Sequence, residues 1–225
     1  MIPLRDDNPV HDTPVVTWAL VASCVLVFLW QISLGEAGFN RVVFTLGVIP
    51  AVLLGNAQLP PEVAVVPPTA TMLTSMFLHG GWLHLAGNML YLWIFGDNIE
   101  DRMGRLRFLL FYLACGIAAV LAQALPEPQG RTPMIGASGA ISGVLGAYLL
   151  LFPRARVLVL VPLGFILKAI RLPAVWVLGL WFLVQLVASL MAPAGEGGVA
   201  FRAHLGGFVA GLAFAPLFLL GRRRS

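Results

Sequence analysis

The chain has 225 residues, 59% of them hydrophobic and only 11% charged, against roughly 45–50% and 25% in soluble globular domains. A water-soluble fold of this size needs less apolar surface and more charge to coat it, so composition, with a mean hydropathy of +0.91, excludes a soluble domain and predicts an integral membrane protein. The net charge of +4 does not signal nucleic acid, because 11 of the 14 cations fall in alternate segments between apolar stretches, Arg41, Arg131 and Arg202 being the others.

The first 12 residues carry Arg5 with Asp6, Asp7 and Asp12, which is not the basic start of a cleaved signal peptide. The first apolar stretch is therefore read as a permanent anchor. Stretches of 19 or more residues free of Asp, Glu, Lys and Arg occur at 13–35, 63–96, 108–126, 132–153, 172–195 and 203–221. A helix crosses the hydrocarbon with about 20 apolar residues, which places spans at about 14–34, 79–98, 108–126, 134–152, 173–192 and 201–220. A further window, 42–61, contains Pro50 and ends in Pro60 and Pro61; it suits a re-entrant or interfacial loop. Segment 153–172, interrupted by Pro162, mixes cations with apolar residues and reads as an amphipathic, interface-bound stretch. Connections near 127–132 and 194–201 read as tight turns. Cys24 and Cys115 fall inside spans and read as small apolar fillers.

Arg5, then Arg102, Arg105 and Arg107, then Arg154, Arg156, Lys168 and Arg171, then Arg222, Arg223 and Arg224 occupy alternate connections. The positive-inside rule puts those connections, and both termini, in the cytoplasm.

Polar groups at depth are the functional candidates in a membrane chain. The second span holds His79, His84 and Asn88 in HGGWLHLAGN, the fourth Ser138 and Ser142 in GASGAISG, and the sixth His204 in AHLGGFVAG. Asp97 sits near an inner span end and reads as an interfacial charge. Counted from helix starts near His79, Pro133 and Ala200 at 1.5 Å per residue, His84, Ser138 and His204 share a level roughly 6–9 Å down. Ser138, Ser142 and Gly146 recur at helical spacing, flanked by Gly139 and Gly143, and so do His204, Gly207 and Gly211. Such small-residue faces let membrane helices approach backbone to backbone, close enough for a serine–histidine hydrogen bond.

The chemistry this predicts is acyl transfer. Ser138 attacks a carbonyl and His204 takes its proton. Helix-start N–H groups at Ser138, together with His84 and Asn88 one turn apart, donate to the oxyanion. No carboxylate lies at this depth to orient His204, so the arrangement is a dyad. No H-E-x-x-H motif supports a metalloprotease, and the two deep carboxylates of an aspartyl protease are missing. Taken singly, these residues have ordinary roles in helix packing and hydrogen bonding. Two rival functions use the same groups: a carrier relaying protons through His84 and His204, and a non-catalytic binder of membrane helices. Both predict that Ser138 is replaceable.

The three motifs, in that order on spans two, four and six, resemble the rhomboid intramembrane serine proteases. The resemblance runs from about Thr17 to Gly221 and includes FGDNIEDRMGRLRF after the second span. It implies an all-α membrane protein, a six-transmembrane-helix bundle with an outer membrane-embedded first loop, forming one domain over 1–225. Ser138 would be the nucleophile and His204 the general base, with His84, Asn88 and the Ser138 backbone N–H as the oxyanion site. Substrates would be single-pass transmembrane proteins cut near the outer face, in contact with membrane lipid and without metal, cofactor or nucleic acid; no oligomeric state is assigned. The fifth span, Pro173–Met191 with Trp176 and Trp181, would line the substrate's entry. The compact form and lack of a transit peptide suggest a bacterial plasma membrane. Two features depart from the pattern of many relatives: Ala70 and Thr71 stand in place of a Trp-Arg pair, and Ser142 in place of an aromatic that stacks on the histidine. Something else must then orient His204. Glu100 and Arg102 of the inner motif are present.

Overall fold

Where no water can serve the backbone, a chain satisfies its N–H and C=O groups by forming helices, and the apolar windows do so here. A computed structural model describes residues 1–163, 166–191 and 200–220. In chain order the elements are β1 (Ile2–Asp6), α1 (Val15–Ser33), α2 (Gly35–Leu46), α3 (Pro50–Leu53), α4 (Thr71–Thr74), α5 (Trp82–Met103), α6 (Arg105–Ala124) and α7 (Ser138–Leu151). There follow β2 (Arg156–Leu163), β3 (Ile166–Pro173), α8 (Ala174–Met191) and α9 (Phe201–Leu219). Among the described residues, four helices, α1, α6, α8 and α9, are long and apolar enough to cross a membrane. The core lies where α6 and α7 meet α9 and where α5 backs onto α7 and α1. Cys24 and Cys115 are free and buried in it.

Two span boundaries move for identifiable reasons. The second helix starts at Trp82 and runs beyond Asp97 to Met103, because the acids that seemed to end it are used as caps. The Glu100 carboxylate accepts the N–H groups of Val16 and Thr17 at 2.9 and 2.7 Å and the Thr17 hydroxyl at 2.8 Å, satisfying orphan donors at the start of α1. Asp101 accepts from the N–H of Asp12 at 2.9 Å. The fourth helix is shorter than expected: α7 has 14 residues, about 21 Å at 1.5 Å per residue, and begins at Ser138. Ahead of it, Met134 is bridged to Val48 in both directions at 2.9 and 2.7 Å.

The 42–61 window forms no span. It holds the end of α2, the bridge at Val48 and the four-residue α3, with Val48, Ile49 and Ala51 buried. This loop fastens the strand of chain leading to Ser138, also through Ala51 N–H to the Gly130 carbonyl at 2.9 Å.

Segment 153–172 corrects the interfacial-stretch expectation. It is a β-hairpin, β2 against β3 from Arg156↔Pro173 to Leu163↔Ile166, and β1 adds antiparallel to β2 from Ile2↔Leu160 to Asp6↔Val157. Val157 and Val159 turn inward and are fully buried, the period of two a half-covered strand requires. The sheet runs into α8 without a break, since Ala174 N–H donates to the Ala155 carbonyl at 2.8 Å. The 194–201 turn falls largely outside the described residues, as do Arg222, Arg223 and Arg224.

Candidate active site

Glycine sets the distance between α7 and α9. A Cβ at Gly207 would run into the Gly139 carbonyl, one at Gly211 into the Gly143 carbonyl, and one at Gly146 into that of Phe208. With no side chains between them the helices touch through backbone, the close approach that small residues permit in membranes. Gly206 faces Ala122 of α6 in the same way. This contact brings His204 Nε2 to 2.7 Å from Ser138 Oγ.

Corrected helix starts alter the depth argument. His84 is the third residue of α5, Ser138 the first of α7 and His204 the fourth of α9. All three lie in first turns, at the positive end of the helix dipole.

The other face of His204 meets α8. Its Nδ1 lies 2.7 Å from Oε1 of Gln185, and the Trp181 ring lies 6.1 Å from the imidazole, tilted by 37°. A carbonyl oxygen can only accept, so Nδ1 carries the proton and Nε2 turns a lone pair to Ser138. Trp181 thus supplies an aromatic neighbour where Ser142 does not. The Ser142 hydroxyl instead donates to the Ser138 carbonyl at 2.6 Å.

Opposite His204 stands a donor wall. Gly136 has φ +120°, a left-handed backbone suited to glycine, and a Cβ there would sit 2.7 Å from His84 Nε2 and 3.7 Å from Asn88 Nδ2. Both side chains therefore converge on the backbone two residues before Ser138. Gly80 N–H donates to His84 Nδ1 at 3.2 Å, leaving the ring proton on Nε2 as a donor. Asn88 is buried, and its Nδ2 has no partner. His79 is fully buried behind this wall; its N–H donates to Gln31 Oε1 at 3.0 Å and its ring packs edgewise on His84 at 5.2 Å. It supports His84 and lines no part of the cavity.

These groups border one cavity of about 1190 Å³, lined by His84, Asn88, Ser138, Trp181, Gln185 and His204 among others. Arg202 pairs with Glu127 at its rim, joining α9 to the turn after α6. The candidates His84, Asn88, Ser138 and His204 are all brought together here. Trp176 is not: it is 69% exposed on the outside of α8. Asp97 lies at the other end of α5, bonded to Asn98. Gln185 was missed, although a glutamine amide inside a charge-free span is as unusual there as a histidine. Among the described residues, no three His, Cys, Asp or Glu side chains gather as metal ligands.

Comparison with known proteins gives a family match, described as a rhomboid domain, over residues 68–221. The chain is 49% identical to Rhomboid protease GluP of Bacillus subtilis over 78 residues, 35% of this chain and 15% of that protein. It is 32% identical to Rhomboid protein 1, mitochondrial, of Saccharomyces cerevisiae over 153 residues, 64% of this chain and 40% of the relative. It is 38% identical to RHOMBOID-like protein 5 of Arabidopsis thaliana over 78 residues, 35% and 25% of the two chains. The matched stretches thus span two fifths or less of the length of these relatives.

Proposed function

The chain belongs to the rhomboid family, and from that premise we propose that it is an intramembrane serine endopeptidase acting through Ser138 and His204. The observation that carries the reading is the 2.7 Å approach of His204 Nε2 to Ser138 Oγ. It occurs in a cavity that also holds the unpartnered Asn88 donor.

With Nδ1–H held by Gln185, His204 Nε2 takes the Ser138 proton as Oγ attacks a peptide carbonyl. The new bond makes a tetrahedral centre whose oxygen bears the charge. His84 Nε2–H, Asn88 Nδ2 and the Ser138 backbone N–H are the donors for that oxygen, at the positive start of α7. His204 returns its proton to the departing amine, leaving an acyl group on Ser138. Water attacks that ester with His204 again as base, releasing the new carboxyl end. The steps call on no metal or cofactor.

The substrates are single-pass transmembrane proteins cut near the outer face of the membrane. A site in the first turns of three helices supports this, because a bond presented there lies near a membrane surface. The whole of 1–225 forms one membrane domain with both ends in the cytoplasm of a bacterial plasma membrane, in keeping with the alternation of cations between spans. The relay reading fits the geometry less well, since His204 directs its two ring nitrogens to Ser138 and Gln185.

The test is fluorophosphonate labelling of purified protein in detergent, with cleavage of a model transmembrane substrate followed in parallel. The wild type labels and cleaves; Ser138→Ala and His204→Ala do neither while remaining folded. Cleavage of the same bond by Ser138→Ala would sink the dyad. Unlabelled wild type that still captures the substrate, as Ser138→Ala does too, would make the protein a binder.

A further inference from the structure

His204 is held by a residue on a helix to which neither reacting group belongs. An imidazole has two neutral tautomers, and only the one protonated at Nδ1 offers Nε2 to the serine; which one is present is set by the partner of the other nitrogen. That partner is the Gln185 amide oxygen, 2.7 Å from Nδ1. We propose that Gln185 is the positioning residue of the Ser138–His204 pair, fixing from α8 the tautomer that the pair needs. The proposal rests on the function argued above.

The helices differ in how firmly they are fixed. α7 and α9 are locked by backbone contact at Gly207 and Gly211. α8 is the least embedded of the four membrane-length helices, with 17% of its apolar window buried against 28–39% for the others. It is seated on α9 by side chains alone near the site: Trp181 stacks on Phe208 at 6.0 Å, Phe182 meets Phe208 at 4.8 Å, and Gln185 meets His204. Trp181 and Gln185 also form a wall of the cavity. Without the Gln185 oxygen the imidazole is free to turn or change tautomer, and Ser138 loses its base.

Labelling by a small fluorophosphonate separates this role from control of substrate entry, because the probe needs no displaced helix. Full-length wild type, Gln185→Leu and Gln185→Glu are compared for labelling rate and for kcat and KM on the transmembrane substrate. Leucine suits a lipid-facing helix but has no acceptor; glutamate keeps one. Gln185→Leu is expected to lose about tenfold in both labelling rate and kcat, the factor associated with one neutral hydrogen bond, at unchanged KM. Gln185→Glu is expected to recover most of both. Gln185→Leu labelling at the wild-type rate would overturn the proposal whatever its effect on cleavage, and so would a glutamate variant as slow as the leucine one. Failure of the underlying function looks different: the wild type itself would not label, or Ser138→Ala would.

Discussion

Asn88 holds a buried amide nitrogen with nothing to donate to, an arrangement that costs stability in the free protein and leaves a donor ready for an arriving charge. Asn88→Ala should therefore reduce kcat by up to about 10²–10³, the usual worth of one oxyanion donor, while thermal unfolding shows the variant at least as stable as the wild type. A variant with unchanged kcat would remove Asn88 from the oxyanion site. At this scale much was legible in the sequence, because histidine, serine and asparagine inside apolar spans have few reasons to be there. Gln185 has the same signal but lies outside the three motifs, so only the structure joins it to His204. Gly136 was illegible for another reason: its φ of +120° and the ring pressed against it depend on how distant segments meet.

α7 and α9 pack through carbonyls and glycine Cα atoms, so a single methyl group on the seam has nowhere to go. Gly211→Ala puts a Cβ into the Gly143 carbonyl, two turns along α9 from His204. Overpacking of this kind costs about 1–3 kcal/mol. The expected result is a lower Tm in detergent and a parallel fall in fluorophosphonate labelling as Ser138 and His204 are prised apart. A variant with lowered Tm and wild-type labelling would show that the pair does not depend on this seam. Helix ends followed apolar periodicity closely for α1, α8 and α9, where lipid-facing residues run the full length. α5 outran its window because Glu100 and Asp101 cap the start of α1 and the chain before it, a use of charge that counting cannot foresee. The hairpin hid behind its cations, yet Val157, Val159 and Val161 alternate as a strand does.

Taken whole, the molecule is tied together at the end opposite the site by the sheet. Asp6 of β1 accepts from the Tyr148 hydroxyl of α7 and from Asn98 of α5 at 3.1 Å. Burial pushes the Asp6 carboxyl above its ordinary value of 3.8; the neighbouring charge of Asp7 adds to this and the Tyr148 hydrogen bond opposes it. Asp97 faces the same cluster. A carboxyl whose folded value is raised favours the fold most below its unfolded value, and that contribution is lost as pH rises through the raised one. Hydrogen exchange of β1 amides, corrected for its intrinsic pH dependence, should therefore quicken across that rise in the wild type and do so less in Asp6→Asn. A level wild-type profile would mean that Asp6 is charged throughout. The helical bundle was readable from the order of apolar windows, whereas the sheet that closes it depends on a pairing between the first residues and the middle of the chain.

That pairing also imposes an order of events during synthesis. Ile2 leaves the ribosome long before Leu160, the residue it faces in the finished sheet, and every helix from α1 to α7 is made in between. β1 must wait as an open-edged strand while those helices enter the bilayer, and open edges are where chains pair wrongly. Arg5, Asp6 and Asp7 on and beside it are the kind of charge that keeps a waiting edge soluble. The contact therefore joins a segment made before α1 to the hairpin leading into α8.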